Sequence, residues 1–89
     1  MVAELSMVKF LFFAQLAELA ERDALELEYQ VDWSMDDYLA ELSEKLPKPA
    51  IDLLTDGATM VSINQTLASW SDTLSDDDEV GLLPPFSGG

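Results

Sequence analysis

Between Leu25 and Leu46 the hydrophobic pattern of this chain changes period, and that change fixes most of what it can fold into. From Leu25 to Asp32 apolar and polar residues alternate without a break. Such alternation marks a half-buried strand, with Leu25, Leu27, Tyr29 and Val31 on its inner face. From Met35 onward the apolar residues Met35, Tyr38, Leu39, Leu42 and Leu46 recur at helical spacing and form one stripe on a helix. Ser34 stands at the N-cap, and Asp36 and Asp37 fall in the first turn, where the helix dipole favours negative charge. Lys45 falls in the last turn, and Pro47 and Pro49 stop the helix. A strand and a long helix this close in sequence must share one core.

The flanking segments fit the same plan. Met7 to Phe13 reads as a strand, and Gln15 to Arg22, with Leu16, Leu19 and Ala20 at helical spacing, as a short helix. Ile51 to Leu54 gives one further helical turn, closed by Asp56-Gly57. Met60 to Ile63 and Thr66 to Ala68 read as strands joined by a tight turn at Asn64-Gln65. Leu74 to Glu79 is an acidic turn, and Val80 to Leu83 is the last strand, ended by Pro84-Pro85. With 89 residues the chain makes one domain. A domain of that size has room for one sheet and one or two helices, and none for a deep pocket. The expected fold class is α+β, with the helices packed on one face of the sheet. Residues 1–6 read as an N-terminal extension, 7–83 as the domain, and 84–89 as a flexible tail.

Strand parity predicts what the other face carries. In the first strand Val8, Phe10 and Phe12 share one side, and Lys9, Leu11 and Phe13 the other. Lysine is rarely buried, so its side faces solvent and takes Leu11 and Phe13 with it. In the last strand Val80 and Leu82 face the core, leaving Gly81 and Leu83 outward. An apolar patch on an open sheet face marks a partner site.

Composition narrows the function. Asp and Glu number 18 against 4 Lys and Arg, for a net charge of −14. Such a surface repels nucleic acid and anionic membranes. It suits a basic protein partner, solubility, or a salt-adapted source. The absence of cysteine and histidine removes disulfides, thiol nucleophiles and the usual general base. The apolar run Phe10 to Ala14 is too short for a signal peptide or a membrane span, so a cytoplasmic location is expected. Asp76 to Glu79 are consecutive acids whose side chains diverge, so a solvated turn is expected there and no metal site.

The chain ends Pro84-Pro85-Phe86-Ser87-Gly88-Gly89. The prolines aim this segment away from the sheet, and six extended residues span roughly 20 Å. Two glycines can thread a narrow channel in another protein. The Gly89 carboxylate becomes an electrophile if ATP adenylates it, after which sulfide or a persulfide can displace AMP and leave a thiocarboxylate. The chain has no phosphate-cradling Gly-rich loop, no histidine and no cysteine for those steps, so it would be the carried substrate of other enzymes.

Val8 to Leu19 (VKFLFFAQLAEL) resembles the opening of the small subunit of molybdopterin synthases. Ile63 to Leu67 (INQTL), Leu74 to Val80 (LSDDDEV) and Pro84 to Gly89 (PPFSGG) are similar to the second half of that family. The resemblance implies a β-grasp, ubiquitin-like fold with a mixed sheet. It implies that an E1-like adenylating enzyme activates Gly89 with ATP, that a sulfur-donating enzyme supplies sulfur, and that this chain binds no cofactor itself. The tail would enter the large synthase subunit and give sulfur to cyclic pyranopterin monophosphate, in a heterotetramer with two large subunits at its centre. Partner contacts would fall on Phe13, Leu67, Leu83, Pro84, Pro85, Phe86 and Ser87, with Gly88 threading the tail. The sequence departs from the family at Asp77, where glycine is frequent, at Phe86, where valine is usual, and at Leu82 and Leu83, where aromatic residues are common. Three alternatives stand: a carrier for thiamine synthesis or tRNA thiolation, a protein-conjugating modifier, and an acidic β-grasp interaction module with an inert tail.

Overall fold

The computed structural model describes residues 6–84. Five strands and three helices follow the order β1 (Met7–Phe12), α1 (Ala14–Ala20), β2 (Ala24–Glu28), α2 (Met35–Lys45), α3 (Lys48–Leu54), β3 (Met60–Ile63), β4 (Thr66–Ala68) and β5 (Glu79–Leu83). The strands form one mixed sheet in the order β2-β1-β5-β3-β4. The central pair β1 and β5 is parallel, and the other pairs are antiparallel. This is the α+β, ubiquitin-like β-grasp architecture, with its first and last strands side by side in the middle. None of the helices among the described residues is long and apolar enough to cross a membrane.

The core lies between the inner sheet face and the helices. Val8, Phe10 and Phe12 of β1 and Val80 and Leu82 of β5 meet Leu16 of α1, and Met35, Tyr38 and Leu42 of α2, all of them buried. The α2 stripe therefore packs as its spacing predicts, with Leu39 at the margin. The start of α2 is fixed twice. Ser34 and Asp37 form a capping box, in which the Ser34 N–H donates to Asp37 Oδ2 at 2.8 Å. The Met35 and Asp36 N–H groups, which a helix start leaves unpaired, donate to the carbonyls of Asp72 and Trp70.

Three expectations need correction. The second strand ends at Glu28 instead of running to Asp32, and Val31, expected inside, is 72% exposed. The β1 ladder reaches only as far as the pair Met7 and Glu28. Beyond it the Tyr29 N–H is taken by the Ser6 carbonyl, and Asp32 turns the chain at φ 65. The further turn near Ile51 is a seven-residue helix starting at Lys48. Pro47 caps it and Pro49 sits in its first turn, where proline costs no hydrogen bond, so the prolines that end one helix also begin the next. The last strand begins one residue early, at Glu79.

Candidate functional site

The helices leave one sheet face open, and the strand registers determine what stands there. Leu11 lies beside Gly81, Gly81 beside Ser62, and Ser62 beside Leu67, giving one row across β1, β5, β3 and β4. One step further along β5, Leu83 pairs with Met60 of β3. On its other side comes Phe13, which follows the pair of Phe12 with Leu82. Phe13, Leu83 and Met60 thus form a second apolar row at the end of the sheet. One step in the other direction the face turns polar, with Lys9 between Glu26 of β2 and Glu79 of β5.

Exposure marks the apolar rows as the unusual surface. The large exposed hydrophobics are Phe13 at 43%, Met60 at 49% and Leu67 at 66%, together with the isolated Val31. Of the three that share a face, Phe13 and Met60 flank Leu83, and Leu67 stands one row away opposite Ser62. Leu83 is half-buried, and the half-buried Pro84 follows it directly. The patch is therefore built at the root of the segment that leads to Gly88 and Gly89. Leu11 is also half-buried. Gly81 is buried although it points to the open side, because the Phe13 ring and Leu83 close over it.

The local backbone explains the placement of Phe13. It is still extended, at φ −118 and ψ 151, but Ala14 turns left-handed at φ 52 and sends the chain into α1. A non-glycine residue in that region carries strain of about 1–2 kcal/mol, and here the strain sits next to the patch.

Phe13, Leu67 and Leu83 thus fall on one sheet face, and Pro84 follows Leu83 at its end. Pro85, Phe86, Ser87, Gly88 and Gly89 lie outside the described residues. Met60 belongs to the surface although its sequence context places it only in a strand. The signal that could have found it is parity, since an inward Val61 leaves Met60 outward beside Leu83. No group of three or more acidic, His or Cys side chains among the described residues could hold a metal ion. The Asp76–Glu79 run is instead used in a turn. The Asp78 carboxylate accepts from the Ser75 N–H and from Asn64 Nδ2, both at 2.8 Å, and Ser6 Oγ donates to Asp76 at 3.1 Å. What the open face offers is apolar contact beside the end of β5.

Comparison of the sequence with known families decides its kinship: the ThiS family matches residues 10–89. The chain belongs to the ThiS family. The molybdopterin synthase sulfur carrier subunit of Escherichia coli is 36% identical over 85 residues, spanning 93% of this ThiS-family chain and all of that protein. Among solved structures, SAMP1 of Haloferax volcanii superimposes with a TM-score of 0.78 at 27% identity, over 93% of this chain and 99% of that one. A chain from the complex of subunits 1 and 2 of molybdopterin-converting factor from Helicobacter pylori shares the fold, with a TM-score of 0.62 at 24% identity, over 93% of this chain and 99% of that one. Within this ThiS-family chain, Asp77 holds φ 62. That left-handed conformation suits glycine, the residue expected there from the resemblance to molybdopterin synthase small subunits. The turn before β5 closes tightly all the same, with the Asp77 N–H donating to the Met7 carbonyl at 3.0 Å.

Proposed function

We propose that this chain is the sulfur carrier of molybdenum cofactor biosynthesis and works as the small subunit of a molybdopterin synthase. The observation that carries the reading is the apolar patch of Phe13, Met60, Leu67 and Leu83 at the root of the tail ending in Gly88-Gly89. A patch in that position lets a partner hold the domain while the tail reaches its active site. The kinship supports the assignment: the Escherichia coli relative is a molybdopterin synthase sulfur carrier subunit, and the Helicobacter pylori chain comes from a complex of subunits 1 and 2 of molybdopterin-converting factor.

In this reading the Gly89 carboxylate attacks the α-phosphorus of ATP on an E1-like adenylating enzyme, and pyrophosphate leaves. Sulfide released by a sulfur-donating enzyme then displaces AMP, so one carboxylate oxygen departs with AMP and a thiocarboxylate remains. Where the donor is a persulfide, a thiol reduces the acyl disulfide it forms to the same thiocarboxylate. The chain next docks on the large synthase subunit through the patch and through Pro84, Pro85, Phe86 and Ser87. Gly88 and Gly89 enter the active site, where the thiocarboxylate gives its sulfur to cyclic pyranopterin monophosphate and hydrolysis regenerates the carboxylate. The catalytic groups belong to the partners, and two large subunits with a carrier at each end make the heterotetramer. The setting is the cytoplasm.

Intact-mass measurement tests this. Incubation with the adenylating enzyme, ATP and a sulfur source is expected to exchange one oxygen for sulfur at Gly89, and deletion of Gly89 to abolish the change. The thiocarboxylated chain is then expected to convert the pterin precursor when mixed with the large subunit. Sulfur loading without that conversion points to a carrier for thiamine or tRNA thiolation. No loading by a demonstrably active enzyme points to an interaction module.

A further inference from the structure

Gly81 stands in the middle of β5, where the backbone does not ask for glycine. Its φ lies outside the positive region, and it is flanked by Leu11 and Ser62 in the two neighbouring strands. Glycine inside a strand weakens it, so a different reason is needed. Gly57 is the contrast, with φ +92 and nothing near the position of a Cβ. What Gly81 lacks is room. A Cβ there would come 2.5 Å from Ser62 Oγ, 3.3 Å from Cε2 of the Phe13 ring and 3.8 Å from Cδ1 of Leu83. The Phe13 ring lies back across β5, in the space that a side chain at residue 81 would occupy.

We propose that Gly81 is a positioning residue, a seat walled by Ser62 that holds the Phe13 ring beside Leu83 in the orientation the large subunit binds. The role rests on the carrier reading given above. Phe13 follows the last ladder pair of β1, and the chain turns away at Ala14. Ladder bonds therefore do not fix its side chain, and the contact with Gly81 does. The ring remains 43% exposed, so part of it rests on the seat and part faces outward. An aromatic anchor already held in its bound orientation loses less freedom on association. A side chain at residue 81 would lift the ring and leave the patch without its preformed edge.

A double-mutant cycle tests the role, with the large synthase subunit of the same organism as the binding partner. A valine at residue 81 presses on Ser62 Oγ, so Gly81→Val is expected to lower the unfolding temperature modestly while the chain still folds. Its affinity is expected to fall by about tenfold or more, as the loss of an aromatic anchor does. Nuclear Overhauser contacts between the Phe13 ring and residue 81 are expected to weaken. In a Phe13→Ala background the same substitution is expected to change affinity less than about twofold, because no ring remains to be displaced. Gly81→Ala combined with Ser62→Ala removes the closest contact and is expected to lose only a few-fold. Wild-type affinity in Gly81→Val, or an equal loss with and without Phe13, overturns the role. If Gly81→Val does not fold, the same cycle is run with Gly81→Ala and judged in the same way. A wild-type chain that does not bind the subunit overturns the carrier reading and the docking role together. The ring contacts of the free chain then still decide whether Gly81 seats Phe13.

Discussion

Tyr38 shows how one residue ties the sheet to the longest helix. It is fully buried, and its ring packs on Phe10 at 5.6 Å and edge-on against Trp33 at 5.0 Å. Its hydroxyl accepts the Gln30 N–H at 2.7 Å, giving a partner to backbone that has left the β2 ladder. Burial pushes its pKa above the ordinary value of 10.0, and the Gln30 hydrogen bond opposes the shift. A pKa raised in the folded state means that folding favours the neutral phenol. Its contribution is therefore complete below about pH 10 and is lost as pH rises through the folded-state value. Unfolding temperatures measured from pH 8 upward are expected to fall in that alkaline range. In Tyr38→Phe this part of the fall should vanish. The substitution should also cost about 1–2 kcal/mol at neutral pH, because the Gln30 N–H loses its acceptor. A pH profile identical in both proteins would remove Tyr38 from the account. At Asp77 the strain is conformational, since φ is 62. Asp77→Gly relieves it and is expected to stabilise by about 0.5–1 kcal/mol, less than the full αL penalty because glycine also frees the unfolded chain. Urea denaturation would register the gain as a higher midpoint.

At the scale of elements, α2 depends on its start. The Ser34 and Asp37 side chains each satisfy the other's backbone N–H, at 2.8 Å and 3.4 Å. Asp37→Ala removes one of those bonds and a negative charge at the positive end of the helix, and is expected to cost about 1 kcal/mol in urea denaturation. A change below a few tenths would mean that the Asp72 and Trp70 carbonyls hold the start unaided. The same helix explains what the sequence could disclose. Its cap, stripe and proline stop are all local, so α2 was legible to within one residue. The end of β2 was not, because alternation continues through Tyr29 and Val31 while the partner strand does not. Pro49 read as a stop because helix ends and helix beginnings tolerate the same residue. The open face was legible in part. Parity alone placed Phe13 and Leu83 outward, but their adjacency to Met60 depends on β5 lying between β1 and β3, a pairing that joins segments far apart in the chain. The room missing at Gly81 depends on a ring position that no periodicity records.

For the whole molecule, self-repulsion among the acids adds to the chain entropy that opposes folding. A net charge of −14 is spread over 89 residues. Among the described residues a single ion pair, Lys48 with Asp52, stands against it, and its side chains are 84% and 63% exposed. A pair that open contributes little. Glu26 and Glu79 flank Lys9 on the open face, so net negative charge also stands beside the proposed docking patch. The screening length shortens with ionic strength, from about 10 Å at 0.1 M to about 3 Å at 1 M. Salt should therefore stabilise this fold. If screening recovers about 1–2 kcal/mol, the unfolding temperature of a domain this size should rise by about 5–10 °C. Sodium chloride and potassium chloride should act alike, and most of the rise should come before the Debye length drops below the spacing between neighbouring carboxylates. A flat response would show that the acids are too dispersed to strain the fold. A rise that continues linearly at high salt and is larger for sulfate would instead assign the effect to apolar burial. The same titration separates the two uses of the acidic surface. If it steers a basic partner, association with the large subunit should slow as salt rises while the free chain grows more stable, and the two curves should run in opposite directions.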